Sequence, residues 1–482
     1  MEQSRKPDLY LITQDFPYGP IEDSFVKPEY PYLCERFHVS IIAAELSIPE
    51  ESVSEYFGLE GLVSEDAGEK GPVPEDCRLK ESAAEDSGLK KLRVEDVDEK
   101  RSTSRNAAAG YETDRQEMKA CLISKNQSTG EKLRSLIRFL CEKDCYTEIA
   151  AIIKSRRKIP QRIYRALMFG AAAETFYRRL QQKISLTKET QAVFYFYWFD
   201  YKCFGLTMHR RKFPQIRIVA RTHGYELFDE RELYGRQFFK PQMDKEVDRL
   251  VFAAQYAKDY YLTRYQLKDS EKYPLYRLGV PDRKVTVEER RKARSGEELL
   301  LVSCSGTGRI KRIDRIIEGL SSVPNAQIHW VHIGGGEELD ALCGLAEEKL
   351  KDKSNIRYEF TGTLSNEDVI AYYQNHYVSC FITTTETEGG SPVSVQEALS
   401  FGVPVIATAV GELVQMVDDN GILLSEKPTG EEVAQAVERM TACYGTEEYF
   451  RMCGRSLEIF HERFDEQRNF TAFAAELARA VC

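Results

Sequence analysis

The chain has 482 residues, a length that predicts two or three domains and excludes a small disulfide scaffold. Hydrophobic residues make up 42% and charged residues 30%, which is typical of a globular protein with sizeable cores. The formal net charge of -10 disfavours nucleic acid as a partner, since phosphates would repel the molecule as a whole.

The 12 cysteines are scattered, with no CxxC pair and no Cys/His spacing of the kind that binds zinc. The N-terminal residues lack the apolar stretch and cleavage site of a signal peptide, and no run of about 20 apolar residues occurs. We therefore expect a cytoplasmic, reduced protein.

The first predicted elements form the opening of a parallel α/β sheet. A strand is predicted over 8–13, followed by the loop FPYGPIEDSF, a helix to about residue 35 and a second strand over 38–44. The order of strand, loop, helix and strand is typical of such sheets.

A polar segment then interrupts the pattern. Apolar residues thin out after about residue 52, and Glu-Asp pairs recur every ten residues, at 65/66, 75/76, 85/86 and 95/96. So polar a stretch cannot offset its ordering entropy by burial. We predict a disordered acidic insertion over about 52–116.

Helical periodicity returns over 133–154 and 161–183. The stretch 154–183 carries nine Lys or Arg residues against one acidic residue, with apolar side chains between them. Two interpretations stay open: a surface that rests on anionic lipid headgroups, and a solvated helical face over an ordinary core.

The remaining elements continue the alternation in two series. Strands are predicted over 192–199, 216–221 and 273–284, and a helix over 248–262. After a charged stretch at 285–296, interpreted as a linker, strands and helices alternate regularly from 298 to 408. This order predicts two doubly wound parallel-sheet domains in tandem, with a cleft between them.

The segment 383–417 carries the strongest chemical signal. Its strand ends in a loop with two glycines and a proline, and a helix follows from about Ser394. Backbone N–H groups there and the helix N-terminus favour an anion such as a diphosphate. Nearby carboxylates suit the hydroxyls of a sugar or ribose; they are Glu386, Glu388 and Glu397.

This segment resembles the signature of the retaining GT-B glycosyltransferases of family 4, which make cell-surface polysaccharides from nucleotide sugars. The resemblance implies an α/β fold of two Rossmann-like domains that face a cleft. It implies an acceptor-side domain over 1–285, a nucleotide-sugar domain over 296–455 and a terminal helix over 456–482 that crosses back.

The resemblance also implies roles for the residues of this loop. Glu388 and the backbone that follows it would bind the donor diphosphate and sugar, and Glu397 would bind the ribose. The backbone residues are Gly389, Gly390, Ser391, Pro392 and Val393. The family usually has seven residues between the two glutamates, whereas eight stand here, so either the loop bulges or Glu386 shares the role.

A second match lies in LLLVSCSGTGRIKRIDRIIEGL, where Lys311 matches the lysine that stabilises the departing nucleoside diphosphate in the family. The family's arginine position is Gly306, so Arg309 or Arg312 would have to substitute. Further on, Gly334 and Gly335 resemble the glycine turn that borders the nucleotide.

In RTHGYELFDER, His223 resembles the family histidine that faces the donor sugar or the leaving oxygen, although a structural role stays open. Arg221 would orient a substrate. The first loop resembles the family's acceptor-side loop, with Gly19 and Glu22 as its candidates.

The resemblance implies transfer of a hexose-type sugar from a nucleotide sugar to a saccharide or lipid-linked acceptor, with retention and without a metal or other cofactor. Two alternatives stay open. One is a nucleotide-sugar epimerase, and the other is a catalytically idle partner subunit. The departures at Gly306, at the spacing after Glu388 and at Gln415 make the second alternative credible.

Overall fold

Apolar strands alternate with helices through most of the chain in a computed structural model. It describes residues 6–18, 22–44, 119–123, 128–293 and 298–480. The predicted insertion at 52–116 and the candidate Gly19 lie outside these ranges.

The first domain is built on a six-stranded parallel sheet with the order β3-β2-β1-β4-β5-β6. Its strands are β1 (Asp8–Thr13), β2 (His38–Ala43), β3 (Lys119–Leu122), β4 (Val193–Phe196), β5 (Arg217–Thr222) and β6 (Arg249–Phe252). Leu9 pairs with Val39 on one side and Val193 on the other. Strand β4 is buried at every position because helices cover both faces of the sheet.

Seven described helices accompany this sheet. They are α1 (Asp23–Arg36), α2 (Thr129–Phe139), α3 (Lys143–Ser155), α4 (Ile159–Lys183), α5 (Tyr201–Thr207), α6 (Lys240–Glu246) and α7 (Gln255–Tyr265). The predicted single helical stretch over 133–154 is divided between two helices. Helix α2 ends at Phe139, and α3 begins at Lys143.

The second domain repeats the plan, with the sheet order β12-β11-β10-β7-β8-β9. Its strands are β7 (Leu299–Cys304), β8 (Ile328–Ile333), β9 (Ile356–Gly362), β10 (Cys380–Thr383), β11 (Val405–Thr408) and β12 (Gly421–Leu424). Its helices are α8 (Val287–Ala293), α9 (Ile313–Ser322), α10 (Leu339–Leu350), α11 (Asn366–Asn375), α12 (Val393–Ser400), α13 (Leu413–Met416), α14 (Gly430–Cys443), α15 (Glu447–Arg463) and α16 (Glu466–Arg479). The predicted pair of doubly wound parallel sheets is confirmed.

Three local predictions are wrong. The predicted helix over 248–262 is strand β6 followed by α7, because a short apolar run fits either a buried strand or a buried helix. The predicted strand over 273–284 forms only isolated bridges, at Leu275 and Val280.

The predicted linker over 285–296 contains helix α8. Thr286 and Glu289 form its capping box: the Thr286 N–H donates to the Glu289 carboxylate (2.8 Å), and the Glu289 N–H donates to the Thr286 hydroxyl (3.2 Å). The charged residues over 285–296 therefore form a capped helix, not an extended linker.

Helix α16 packs on α1 of the first domain. Tyr32 on α1 donates a hydrogen bond to Glu466 on α16 (3.2 Å), and Phe473 lies 5.2 Å from the Tyr195 ring. This helix therefore ties the end of the chain to the first sheet. No helix in the described ranges is long and apolar enough to span a membrane.

Candidate functional site

A cavity of about 520 Å³ lies where the carboxyl ends of the two sheets face each other. Doubly wound sheets bind ligands at this edge, near the point where the strand order reverses. The first domain contributes Phe25, Trp198 and His223 to its walls.

Eight of the predicted site residues line this cavity. They are His223, Lys311, Gly334, Glu388, Gly390, Ser391, Pro392 and Val393. The other described candidates lie outside its lining; they are Glu22, Arg221, Arg309, Gly335, Glu386, Gly389 and Glu397. The two glycines border it, since Gly335 follows Gly334 and Gly389 precedes Gly390.

Lys311 and Glu388 form the charged floor of the cavity. Lys311 ends a 3-10 turn after β7, Glu388 lies in the loop after β10, and their Nζ and Oε2 atoms are 3.0 Å apart. Both side chains are partly exposed, so a ligand phosphate can reach the ammonium group. The loop then passes Gly390 and enters α12, whose first N–H groups lack helical partners, as at every helix start.

His223 faces this floor from the end of β5. Its Nε2 lies 3.1 Å from the Tyr197 carbonyl oxygen, so Nε2 carries the ring proton and donates a hydrogen bond to this oxygen. Its ring lies 4.5 Å from the ring of Trp198. Burial and the nearby Arg221 charge lower the pKa of His223 to about 3. The ring is therefore neutral at pH 7, and Nδ1 can accept a hydrogen bond from a hydroxyl.

Hydrogen bonds to Glu226 fix the backbone of the loop that carries His223. The buried carboxylate of Glu226 accepts hydrogen bonds from the N–H groups of His223 (2.6 Å) and Gly224 (3.1 Å). The same loop touches the second domain. A Cβ added at Gly389 would lie 1.9 Å from the Phe228 ring, so only glycine permits this approach.

Glu22 lies close to the site, but groups of the protein itself form the hydrogen bonds of its carboxylate. Its carboxylate is buried and accepts hydrogen bonds from the N–H groups of Gln14 (2.8 Å), Asp15 (2.8 Å) and Phe16 (3.0 Å). It also accepts one from the Trp198 indole. Glu22 therefore shapes the loop after β1 and orients Trp198 in the cavity wall.

Arg221 lies in the core, away from the cavity. Its guanidinium is fully buried, is paired with Glu29 of α1 and lies 4.0 Å from the ring centroid of Phe473 on α16. The predicted substrate contact is incompatible with this placement, because protein atoms surround the charge on every side. The residue instead anchors α1 and α16 to the first sheet.

Arg309 and Glu386 lie at the rim. The Arg309 side chain is 87% exposed and pairs with Glu338 at 3.0 Å, while Glu386 pairs with Arg312 at 2.6 Å. Gly306, which stands at the family's arginine position, lines the cavity, whereas the Arg309 side chain does not. In this arrangement Arg309 therefore does not substitute for that arginine.

Glu397 lies on α12 with its carboxylate buried behind the cavity wall. It accepts a hydrogen bond from the Asn366 amide (2.6 Å), and burial raises its pKa. A ribose that reaches Glu397 would have to replace or share this contact.

The sequence interpretation missed Trp198 and Phe25 as cavity residues. The apolar run over 192–199 predicts one continuous strand, whereas β4 ends at Phe196. A usable signal was Asp200, whose carboxylate caps the start of α5 by accepting from the Lys202 N–H (2.9 Å).

Within the described ranges, one group of side chains has the spacing of metal ligands. It consists of Asp282, His461 and Asp465, whose ligand atoms lie within 4.8 Å of one another. None of the three lines the cavity, and Asp282 pairs with Lys284 at 2.7 Å.

Comparison with known proteins finds a family match over most of the second domain. Residues 285–456 match the family model described as glycosyl transferases group 1. The O-antigen biosynthesis glycosyltransferase WbnH of Escherichia coli is 26% identical over 163 residues. That match covers 33% of this chain and 44% of the relative, so less than half of the relative is spanned.

Solved structures extend the likeness to the whole fold. A glycosyltransferase from Rickettsia africae matches with a TM-score of 0.59 and 12% identity, covering 99% of this chain and 98% of its own. HepE of Anabaena, solved with UDP and glucose, matches with a TM-score of 0.57 and 12% identity, covering 98% and 100%. The chain therefore has the two-domain GT-B fold, and its second domain carries the group 1 glycosyl transferase match.

Proposed function

We propose that the protein is a retaining glycosyltransferase of family 4 that makes cell-surface polysaccharide. It transfers a hexose-type sugar from a nucleoside-diphosphate sugar to a saccharide or lipid-linked acceptor. The observation that carries this proposal is the Lys311–Glu388 pair, which lies in the cavity between the domains, beside the start of α12 and facing His223. The name of WbnH, an O-antigen biosynthesis glycosyltransferase, supports the same class of reaction.

In this proposal the donor diphosphate lies between Lys311 and the N-terminus of α12. The ammonium group, the N–H groups of Gly390 and Ser391 and those of the first turn of α12 stabilise the charge that develops on the leaving diphosphate. Because these groups already supply positive charge, we propose that transfer needs no metal. Activity that survives a chelator tests this point.

The sugar and the ribose contact carboxylates and the histidine. Glu388 accepts hydrogen bonds from sugar hydroxyls, and Nδ1 of His223 accepts one from the opposite side. The ribose approaches Glu397 by sharing its Asn366 contact, with Glu386 and Arg309 at the rim. The acceptor contacts the Trp198 wall of the cavity, which Glu22 holds in place through the indole hydrogen bond, and Gly19 stays a candidate of the acceptor side.

A thermal-shift screen tests donor binding. The protein is heated with UDP-, GDP-, ADP- and CMP-sugars, beginning with UDP-sugars because HepE was solved with UDP and glucose. A ligand that binds only the folded state raises the melting temperature. We expect one nucleotide class to raise it in the wild type and in Lys427→Ala, an exposed-lysine control, but not in Lys311→Ala.

The alternatives give different outcomes in the same experiments. A catalytically idle subunit would show no shift with any donor. A nucleotide-sugar epimerase would show a shift but would release nucleotide and altered sugar without any acceptor. Acceptor-dependent release of the nucleoside diphosphate supports the transferase.

We further propose that the first domain rests on anionic membrane at the inner face. Exposed apolar side chains occur throughout 133–168, including Leu133 (57% exposed), Ile153 (52%) and Tyr164 (62%). The last turn of α3 and the turn to α4 add exposed cations; they are Lys154, Arg156, Arg157 and Lys158. Such a surface fits headgroup charge and the interfacial apolar layer together.

Co-sedimentation with vesicles tests this contact. We expect the protein to pellet with phosphatidylglycerol vesicles at low salt, and less so at high salt or after alanine replaces the four cations. Equal pelleting with phosphatidylcholine, or none, would contradict the proposal.

A further inference from the structure

Glu412 is a buried carboxylate of the second domain whose partners belong to the first. Its side chain is fully buried just before α13. One carboxylate oxygen accepts from the Tyr256 N–H in the first turn of α7 (3.2 Å), and the other accepts from Nε of Arg277 (3.2 Å). The carboxylate therefore joins a helix start and a cation across the domain boundary.

The backbone of the same residue holds the loop of the candidate site. The Glu412 N–H donates to the Glu388 carbonyl oxygen at 3.1 Å. At the preceding Gly411, an added Cβ would lie 1.6 Å from this oxygen, so the carbonyl is seated directly against the Gly411 backbone. The side chain of the same Glu388 forms the ion pair with Lys311.

Gln415 strengthens the same contact. Its side-chain oxygen accepts from Nη2 of Arg277 at 2.9 Å. Glu412 and Gln415 therefore both accept hydrogen bonds from one arginine of the first domain.

We propose that Glu412 is a positioning residue that couples the contact between the two domains to the placement of Glu388. The inference rests on the proposed function, because it assigns Glu388 to the donor sugar. A buried carboxylate that loses a partner is left unsatisfied, so it favours the arrangement in which both domains supply its hydrogen bonds. Its own N–H then fixes the carbonyl of Glu388 in that arrangement.

Kinetics of two variants test the coupling. Glu412→Gln removes the charge and Arg277→Met removes its partner, while Tyr32→Phe removes a different contact between α1 and α16 as a control. A misplacement of about 1 Å can cost about 100-fold in rate. We therefore expect kcat to fall by about 10- to 100-fold in Glu412→Gln and Arg277→Met, with little change in the donor KM. Tyr32→Phe is expected to keep the wild-type kcat.

The double variant sharpens the test. If the two residues act as one unit, combining them costs little more than either change alone. Independent, multiplying losses in kcat, or a wild-type kcat in both single variants, would overturn the proposal.

Hydrogen exchange separates this proposal from the proposed function, because it needs no substrate turnover. In Glu412→Gln we expect faster amide exchange both in 387–390 and in the first turn of α7, and in neither segment of Tyr32→Phe. Faster exchange on one side alone would overturn the coupling. If the wild type transfers no sugar while both segments respond together, the proposed function fails and the coupling stands.

Discussion

The contact between Gly389 and Phe228 gives a prediction that depends on the two loops meeting as described. In Gly389→Ala, the new methyl carbon would lie 1.9 Å from Cε2 of the Phe228 ring. Carbon atoms in contact need about 3.5 Å, so the ring or the loop must move by about 1.6 Å.

The ring has little freedom to move. Phe228 is buried, and its centroid lies 4.7 Å from that of Tyr260 and 5.6 Å from that of Tyr256. The loop that carries Glu388 is therefore expected to yield. Overpacking of this kind costs about 1–3 kcal/mol of stability, and a shift of about 1 Å can cost about 100-fold in rate.

The assay is release of nucleoside diphosphate in the presence of acceptor, together with chemical denaturation. We expect kcat to fall by about 100-fold in Gly389→Ala. Gly344→Ala serves as the control, since nothing lies within 4 Å of its added Cβ. Adding Phe228→Leu is expected to recover part of the loss. Wild-type kcat and stability in Gly389→Ala would refute the reasoning.

Three further predictions follow from single side chains. Lys311→Met is expected to lower kcat by about 100- to 1000-fold with an unchanged melting temperature, and a normal kcat in the folded variant would remove Lys311 from the site. His223, with a folded pKa of about 3 against about 6.5 when unfolded, stabilises the protein above pH 6.5 and loses this contribution as the pH falls. The free energy of unfolding is therefore expected to fall between pH 8 and pH 5 by about 2 kcal/mol less in His223→Gln than in the wild type. An equal fall in both proteins would mean that the histidine is solvated. Arg221→Met leaves Glu29 buried without its partner and should cost about 3–5 kcal/mol in urea denaturation, whereas a loss near zero would contradict the core placement.

The fold was predictable because its signals are local and repeated. Apolar strands such as β1 and β8 alternate with helices at short intervals, and this alternation specifies parallel sheets. The errors occurred where local patterns are ambiguous. Strand β6 has only four residues, and its apolar run fits a helix equally well.

The site was predictable only in part. The loop over 388–393 has a local pattern of glycines before a helix start, whereas only the resemblance to the family motif indicates Lys311; the structure brings both to one cavity. Arg221 could not be placed, since its burial depends on Glu29 and on Phe473, which is far along the chain. For the same reason no local pattern indicates Arg277, because its partners Glu412 and Gln415 belong to the other domain.

The most direct test of the central claim is acceptor-dependent turnover of a nucleotide sugar, followed by the anomeric configuration of the product. Wild type and Lys427→Ala are predicted to release nucleoside diphosphate and to form a product with the anomeric configuration of the donor, while Lys311→Ala is predicted to do neither at a comparable rate. Release that does not depend on acceptor, an inverted product or equal turnover in Lys311→Ala would contradict the account.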